Sequence, residues 1–223
     1  MKQRTALLVG ATGLVGSHCL DALLNDDVYA KVVVLARRVL TVEHQKLVVH
    51  LVDFERLEQH AGLLQADDIF CCLGTTIRVA GSQEAFRKVD FTYIIQTGAI
   101  GVKNGAEQVL LVSALGADPR SRIFYNRVKG EIEEAVSKLP LEGVHIFRPS
   151  LLLGDRKEFR LGEKIGELGM KTFSFAMSGP FRKYRPIEAR AVARAMVSVA
   201  KENRSGINVY ESDKIQAIDD ATR

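Results

Sequence analysis

Thr5-Ala6-Leu7-Leu8-Val9-Gly10-Ala11-Thr12-Gly13-Leu14-Val15-Gly16 decides how this chain is read. A short apolar run at 5–10 gives way to glycines at every third position, and a helix-period stretch follows over 14–25. Strand, glycine turn and helix in that order let the backbone turn tightly and approach a pyrophosphate. The phosphates then meet the free N–H groups and the positive end of the helix dipole near Leu14. Gly10, Thr12, Gly13, Leu14, Val15 and Gly16 are therefore the expected phosphate-side residues of a nucleotide site. The same stretch behind Lys2 and Arg4 also resembles a signal peptide, but its recurring glycines and the lack of a small-x-small cleavage pattern argue against that reading.

Working outward, short apolar runs alternate with longer helix-period segments. Strands are expected at 31–35, 46–51, 68–73, 108–113, 144–147 and 207–210, and helices at 54–64, 82–104, 120–138 and 188–202. Unalternating Val/Ile/Leu-rich strands joined by helical crossovers indicate a parallel sheet covered on both faces. That is an α/β, doubly wound parallel sheet of the Rossmann type. At 223 residues the expectation is a single domain over 1–223, with 155–186 a small substrate-side insertion in its C-terminal part.

Composition narrows the function classes. A hydrophobic fraction of 47% and a charged fraction of 26% are ordinary for a globular protein and exclude a disordered or fibrous chain. A net charge of +4 is too mild to argue for nucleic acid, and no apolar run is long enough for a membrane span. Residues 1–150 carry 17 basic and 17 acidic side chains, so the whole excess lies beyond them. Cys19, Cys71 and Cys72 form no CxxC; they read as small buried hydrophobes in a reducing compartment, with 71 and 72 on opposite sheet faces. The expected location is cytoplasmic.

The second strand ends Leu35-Ala36-Arg37-Arg38, where an NAD site wants a carboxylate for the ribose hydroxyls. Two arginines instead suit a 2′-phosphate, so NADP is expected over NAD, with Arg37 and Arg38 as its contacts. Asp53 is placed to meet an adenine amino group or, alternatively, to cap the helix at 54–64. Tyr125 and Lys129 stand at i and i+4 of an expected helix, so they share a face, and the ammonium can stabilise a phenolate that exchanges a proton with a carbonyl or alcohol oxygen. Tyr210 and Lys214 repeat the spacing, but across a strand end and a turn. Ser113, at the C-terminal end of the fifth strand, lies where its hydroxyl could hold the substrate oxygen against the phenol.

Together with CLGTT at 72–76, VSALGAD at 112–118, YNRVKGEIE at 125–133 and FRPSLLLGDR at 147–156, these motifs make the chain resemble an atypical short-chain dehydrogenase/reductase. Within that superfamily it is similar to the group of animal Tat-interacting proteins and bacterial nucleoside-diphosphate-sugar epimerases. The GxxGxxG spacing is one such enzymes use. The resemblance implies Ser113, Tyr125 and Lys129 as the catalytic set, Gly74 and Thr75 along the cofactor, and Pro149 and Ser150 near the nicotinamide. Where many members of the superfamily carry a catalytic Asn, this chain reads Lys88-Val89-Asp90-Phe91.

His18, His44, His50, His60 and His145 lack metal-ligand spacing, so no metal is expected. Arg182, Lys183 and Arg185 follow the apolar FSFAMSGPF segment at 173–181, which reads either as a lid whose cations hold an anionic substrate or as local packing beside a solvated charge run. The reading is an NADP-dependent oxidoreductase acting on a small carbonyl/alcohol pair, a homo-oligomer being compatible with it. The rivals are a nucleotide-sugar epimerase or dehydratase, and a cofactor-sensing regulator that binds a partner protein without turnover.

Overall fold

The computed structural model describes residues 3–154 and 179–222. The sheet comprises β1 (Arg4–Val9), β2 (Tyr29–Ala36), β3 (Leu47–Leu51), β4 (Asp68–Cys71), β5 (Gln108–Val112), β6 (Gly143–Arg148) and β9 (Gly206–Glu211), all parallel in the order β3-β2-β1-β4-β5-β6-β9. The expected doubly wound α/β sheet is what forms, with β9 added outside β6. A two-stranded ladder, β7 (Leu152–Leu153) with β8 (Ile187–Glu188), leaves the main sheet just past β6.

Period-two alternation sorts the strand residues between two cores. Ala6, Leu8, Val32, Val34, Phe70, Leu110 and Phe147 pack with α1 (Leu14–Leu24), α6 (Ala189–Lys201) and α7 (Ser212–Ala221). Leu7, Val9, Val33, Leu35, Ile69, Val109, Leu111 and Ile146 face the other way, toward α4 (Tyr93–Lys103) and α5 (Phe124–Ser137). Cys71 joins the second core while Cys72 packs against the first, so the adjacent cysteines do take opposite faces.

Several element boundaries differ from expectation. Residues Phe54–Leu63 form a kinked 3-10 helix, with Arg56 off helical geometry (φ −128°, ψ 34°). The helix expected over 82–104 forms without a break over 83–103, as α3 (Gln83–Arg87), a π turn at Lys88–Thr92 and α4, and a separate short helix, α2 (Ile77–Ala80), precedes it. Helix α5 begins at Phe124 rather than 120, because residues 118–123 turn back on themselves: Asp118 Oδ1 accepts Arg120 N, and Asp118 N donates to Asn126 O at 3.1 Å. A Cβ on Gly130 would lie 2.2 Å from Pro119 N, so this loop rests directly on α5. Helix α7, which follows β9 without a linker, has no counterpart in the sequence reading. Of the segment 155–186, residues 155–178 lie outside the described residues, and with them most of the FSFAMSGPF stretch. No helix among the described residues is long and apolar enough to cross a membrane.

Candidate active site

Because the strands are parallel, their carboxyl ends bring distant stretches to one edge of the sheet. Gly10 follows β1, Arg37 follows β2, Gly74 follows β4, Ser113 follows β5, Pro149 follows β6 and Ser212 follows β9.

The glycine turn is built from backbone alone. Gly10 has φ +86°, and a Cβ there would lie 2.5 Å from the carbonyl carbon of Cys72. A Cβ on Gly16 would stand 2.1 Å from the Gly10 carbonyl oxygen. Gly13 N donates to that oxygen at 2.9 Å, and Gly13 caps α1 with no side-chain hydrogen bond. The first N–H groups of α1 thus remain open to a ligand. A close-packed glycine cradle against an uncapped helix start fits a dinucleotide pyrophosphate.

Arg37 and Arg38 are exposed just past β2. Asp53 is exposed too, and its Oδ1 accepts Glu55 N at 3.0 Å, which is the helix-capping alternative. Thr75 N donates to Asp90 Oδ2 at 2.9 Å, tying the loop after β4 to the π turn.

Tyr125 and Lys129 do lie on one helix, on the first two turns of α5. The Tyr125 ring is half-buried and packs 5.6 Å from that of Phe86. The Lys129 side chain is 4% exposed, and its Nζ is 2.9 Å from Asp90 Oδ1, itself on a side chain 1% exposed. Burial works against the ammonium, but Asp90, Tyr125 and Glu133 together outweigh it, so Lys129 is held above the ordinary lysine range. The buried Ser113 donates its Oγ hydrogen to Glu133 Oε1, and Arg148 Nε donates to the same carboxylate at 3.0 and 3.1 Å. Tyr125, Lys129 and Glu133 therefore form one i, i+4, i+8 face. The sequence reading missed Glu133 and saw Asp90 only as a departure from Asn; the four-residue step from Lys129 could have found the first.

Tyr210 plays a different part. Its ring stacks 4.9 Å from Phe147 and its hydroxyl lies 3.3 Å from His145 Nδ1 inside the sheet, away from Lys214 on the exposed face of α7.

The structure uses Pro149 and Ser150 as a junction. Pro149 O accepts Leu115 N at 2.9 Å, Ser150 N donates to Ser212 Oγ at 2.7 Å, and Ser150 Oγ donates to Arg185 O. Beyond it, Arg182, Arg185 and Ile187 face Ser212, Asp213 and Asp220 of α7 across a groove of about 700 Å³. Lys183 is paired with Glu211 at 3.2 Å, and Arg185 Nε is buried without a hydrogen bond. The three expected anion contacts are thus not equivalent.

The sheet, the glycine cradle and the residues along its carboxyl edge define a nucleotide-binding protein of the short-chain dehydrogenase/reductase type. HTATIP2 of Rattus norvegicus is 37% identical over 167 residues, which are 73% of this chain and 69% of that one. Mitochondrial FMP52 of Candida albicans is 28% identical over 218 residues, 95% and 93% of the two chains. The chain therefore belongs to the atypical short-chain dehydrogenase/reductase family that contains HTATIP2 and FMP52. No family model matches it. Among solved structures, UDP-N-acetylglucosamine 4-epimerase from Methanobrevibacter ruminantium superposes with TM-score 0.69 at 15% identity, over 95% of this chain and 77% of that one. WbmH of Bordetella bronchiseptica, in complex with NAD+, gives TM-score 0.67 at 17% identity, over 99% and 80%. These likenesses concern the fold. The expectation of a cytoplasmic protein is corrected: the FMP52 relatives are mitochondrial proteins, which points away from a purely cytoplasmic location.

Proposed function

We propose that this protein is an NADP-dependent oxidoreductase that interconverts a small carbonyl compound and its alcohol. The observation that supports this best is that Tyr125 and Lys129 share one face of α5 with Glu133, the partner of Ser113 just past β5, while the glycine turn follows β1 at the same carboxyl edge of the sheet. Gly10, Gly13 and Gly16 with the start of α1 would hold the pyrophosphate, Arg37 and Arg38 the 2′-phosphate, and Gly74, Thr75, Pro149 and Ser150 the remainder of the nucleotide. When bound, the cofactor supplies or accepts the hydride. Tyr125 gives its Oη proton to the substrate's carbonyl oxygen during reduction and takes it back during oxidation. Lys129 stabilises the phenolate left behind, and Ser113 turns its hydroxyl from Glu133 to the substrate oxygen. An anionic group on the substrate would meet Arg182 and Arg185, since Lys183 is held by Glu211.

An epimerase reading has less support. The likeness to the Methanobrevibacter epimerase is at 15% identity and concerns the fold. The test is a panel of small aldehydes and ketones, neutral and carboxylated, assayed by loss of NADPH absorbance. Turnover in the native protein that falls at least about 100-fold in Tyr125→Phe, with an unchanged melting temperature, is expected for a general acid. A Tyr125→Phe variant as active as the native protein would end the reading.

A further inference from the structure

We infer that Asp90 is a positioning residue for Lys129, supplying by direct contact the counter-charge that keeps a buried ammonium protonated and fixed beside Tyr125. This rests on Tyr125 and Lys129 being the proton-transfer pair.

The geometry is specific. Lys129 and Asp90 are both almost wholly buried, with Nζ and Oδ1 2.9 Å apart. Two ions so far from water persist only when each offsets the other's lost hydration. Asp90 Oδ1 is compensated by the ammonium 2.9 Å away, while Oδ2 is anchored by Thr75 N at 2.9 Å. The other groups acting on Lys129 are poor substitutes. Tyr125 carries no charge until it has given up its proton, and Glu133 is already engaged by Arg148 and Ser113. The backbone supports the same assignment. Asp90 sits in the π turn at Lys88–Thr92, where the run from α3 to α4 takes in one extra residue per turn. Such a turn rotates its side chains out of the phase of a regular helix. An asparagine here could fill the space and still accept from Thr75 N, but it would bring no charge. The Asp therefore determines the protonation of Lys129, and through it the stabilisation of a Tyr125 phenolate.

The experiment follows the Lys129 side chain by carbon-detected NMR titration of the whole protein, its Cε signal assigned by its loss in Lys129→Met. In Asp90→Asn the midpoint of Lys129 deprotonation is expected to fall by about one pH unit or more, tenfold in the acid constant. A midpoint unmoved from the native protein overturns the inference. Should Asp90→Asn fold poorly, urea denaturation of Lys129→Met and of Asp90→Asn/Lys129→Met decides. The single variant leaves a buried carboxylate unpaired and the double variant does not, so the double is expected to be the more stable of the two. Equal stability, or a less stable double variant, overturns the inference. Neither readout uses turnover. Active Tyr125→Phe with a shifted Lys129 titration would remove the proposed function and leave the Asp90 assignment standing.

Discussion

Arg37 and Arg38 carry the proposed preference for NADP. They stand exposed after Ala36, at the place where an NAD site would present a carboxylate to the ribose. A guanidinium pairs with a 2′-phosphate through charge-assisted bonds of about 1.5–3 kcal/mol. Arg37→Asp is therefore expected to weaken NADPH binding by about tenfold or more while leaving NADH within a few-fold, read by isothermal titration calorimetry. Equal affinity of the native protein for both cofactors would contradict the assignment. Tyr125 and Tyr210 make the complementary point. Both head a Tyr-x-x-x-Lys pattern, yet only Tyr125 shares a helix face with its lysine; Tyr210 is fastened between Phe147 and His145.

At the level of elements, the β1–turn–α1 unit was legible because its chemistry is local. Gly16 is required by the approach of the Gly10 carbonyl within the same unit, which the strand–glycine–helix order already implies, whereas Gly10 answers to its own positive φ and to the Cys72 backbone after β4. Gly16→Ala is expected to cost about 1–3 kcal/mol, since a Cβ 2.1 Å from the Gly10 carbonyl oxygen must displace backbone. For a chain of this size that lowers the melting temperature by roughly 2–4 °C per kcal/mol. Gly62→Ala is the control: nothing lies within 4 Å of its would-be Cβ, and a thermal melt should show little change. The stretch 83–103 was legible only in part. A period of 3.6 reads straight through Lys88–Thr92, because the extra residue of a π turn leaves no compositional mark.

Across the whole molecule, a buried polar network ties the amino ends of the strands together, opposite the site. Asp68 of β4 accepts from Arg4 Nε at 2.8 Å, Tyr29 Oη at 2.7 Å and Gln108 Nε2 at 2.7 Å. Gln108 Oε1 meets His145 Nε2 at 3.1 Å, which continues to Tyr210. Burial, then nearby Arg204, pushes the His145 imidazole below its usual value of 6.5. The unfolded chain therefore binds this proton first as pH falls. The contribution of His145 is complete above about pH 6.5 and is lost as pH drops from there through its lower folded value. Urea midpoints measured between about pH 7 and 5 should fall with acidification, and the slope should be shallower in His145→Gln. An identical slope in the variant would place the titration elsewhere.

The sequence by itself determined the parallel doubly wound sheet, the glycine cradle and the shared face of Tyr125 and Lys129. Each is read from a pattern along the chain: glycines between a strand and a helix, unalternating apolar strands joined by helical crossovers, the four-residue step of a helix. Tertiary structure decided the rest. That Asp90 meets Lys129, that Glu133 joins Ser113 to Arg148, and that Asp68 gathers Arg4, Tyr29 and Gln108 are contacts between residues 15 to 64 positions apart. Their partners were chosen by strand order and by the phase of a π turn. A buried charge must find its counter-charge in space, and spacing along the chain does not encode that meeting.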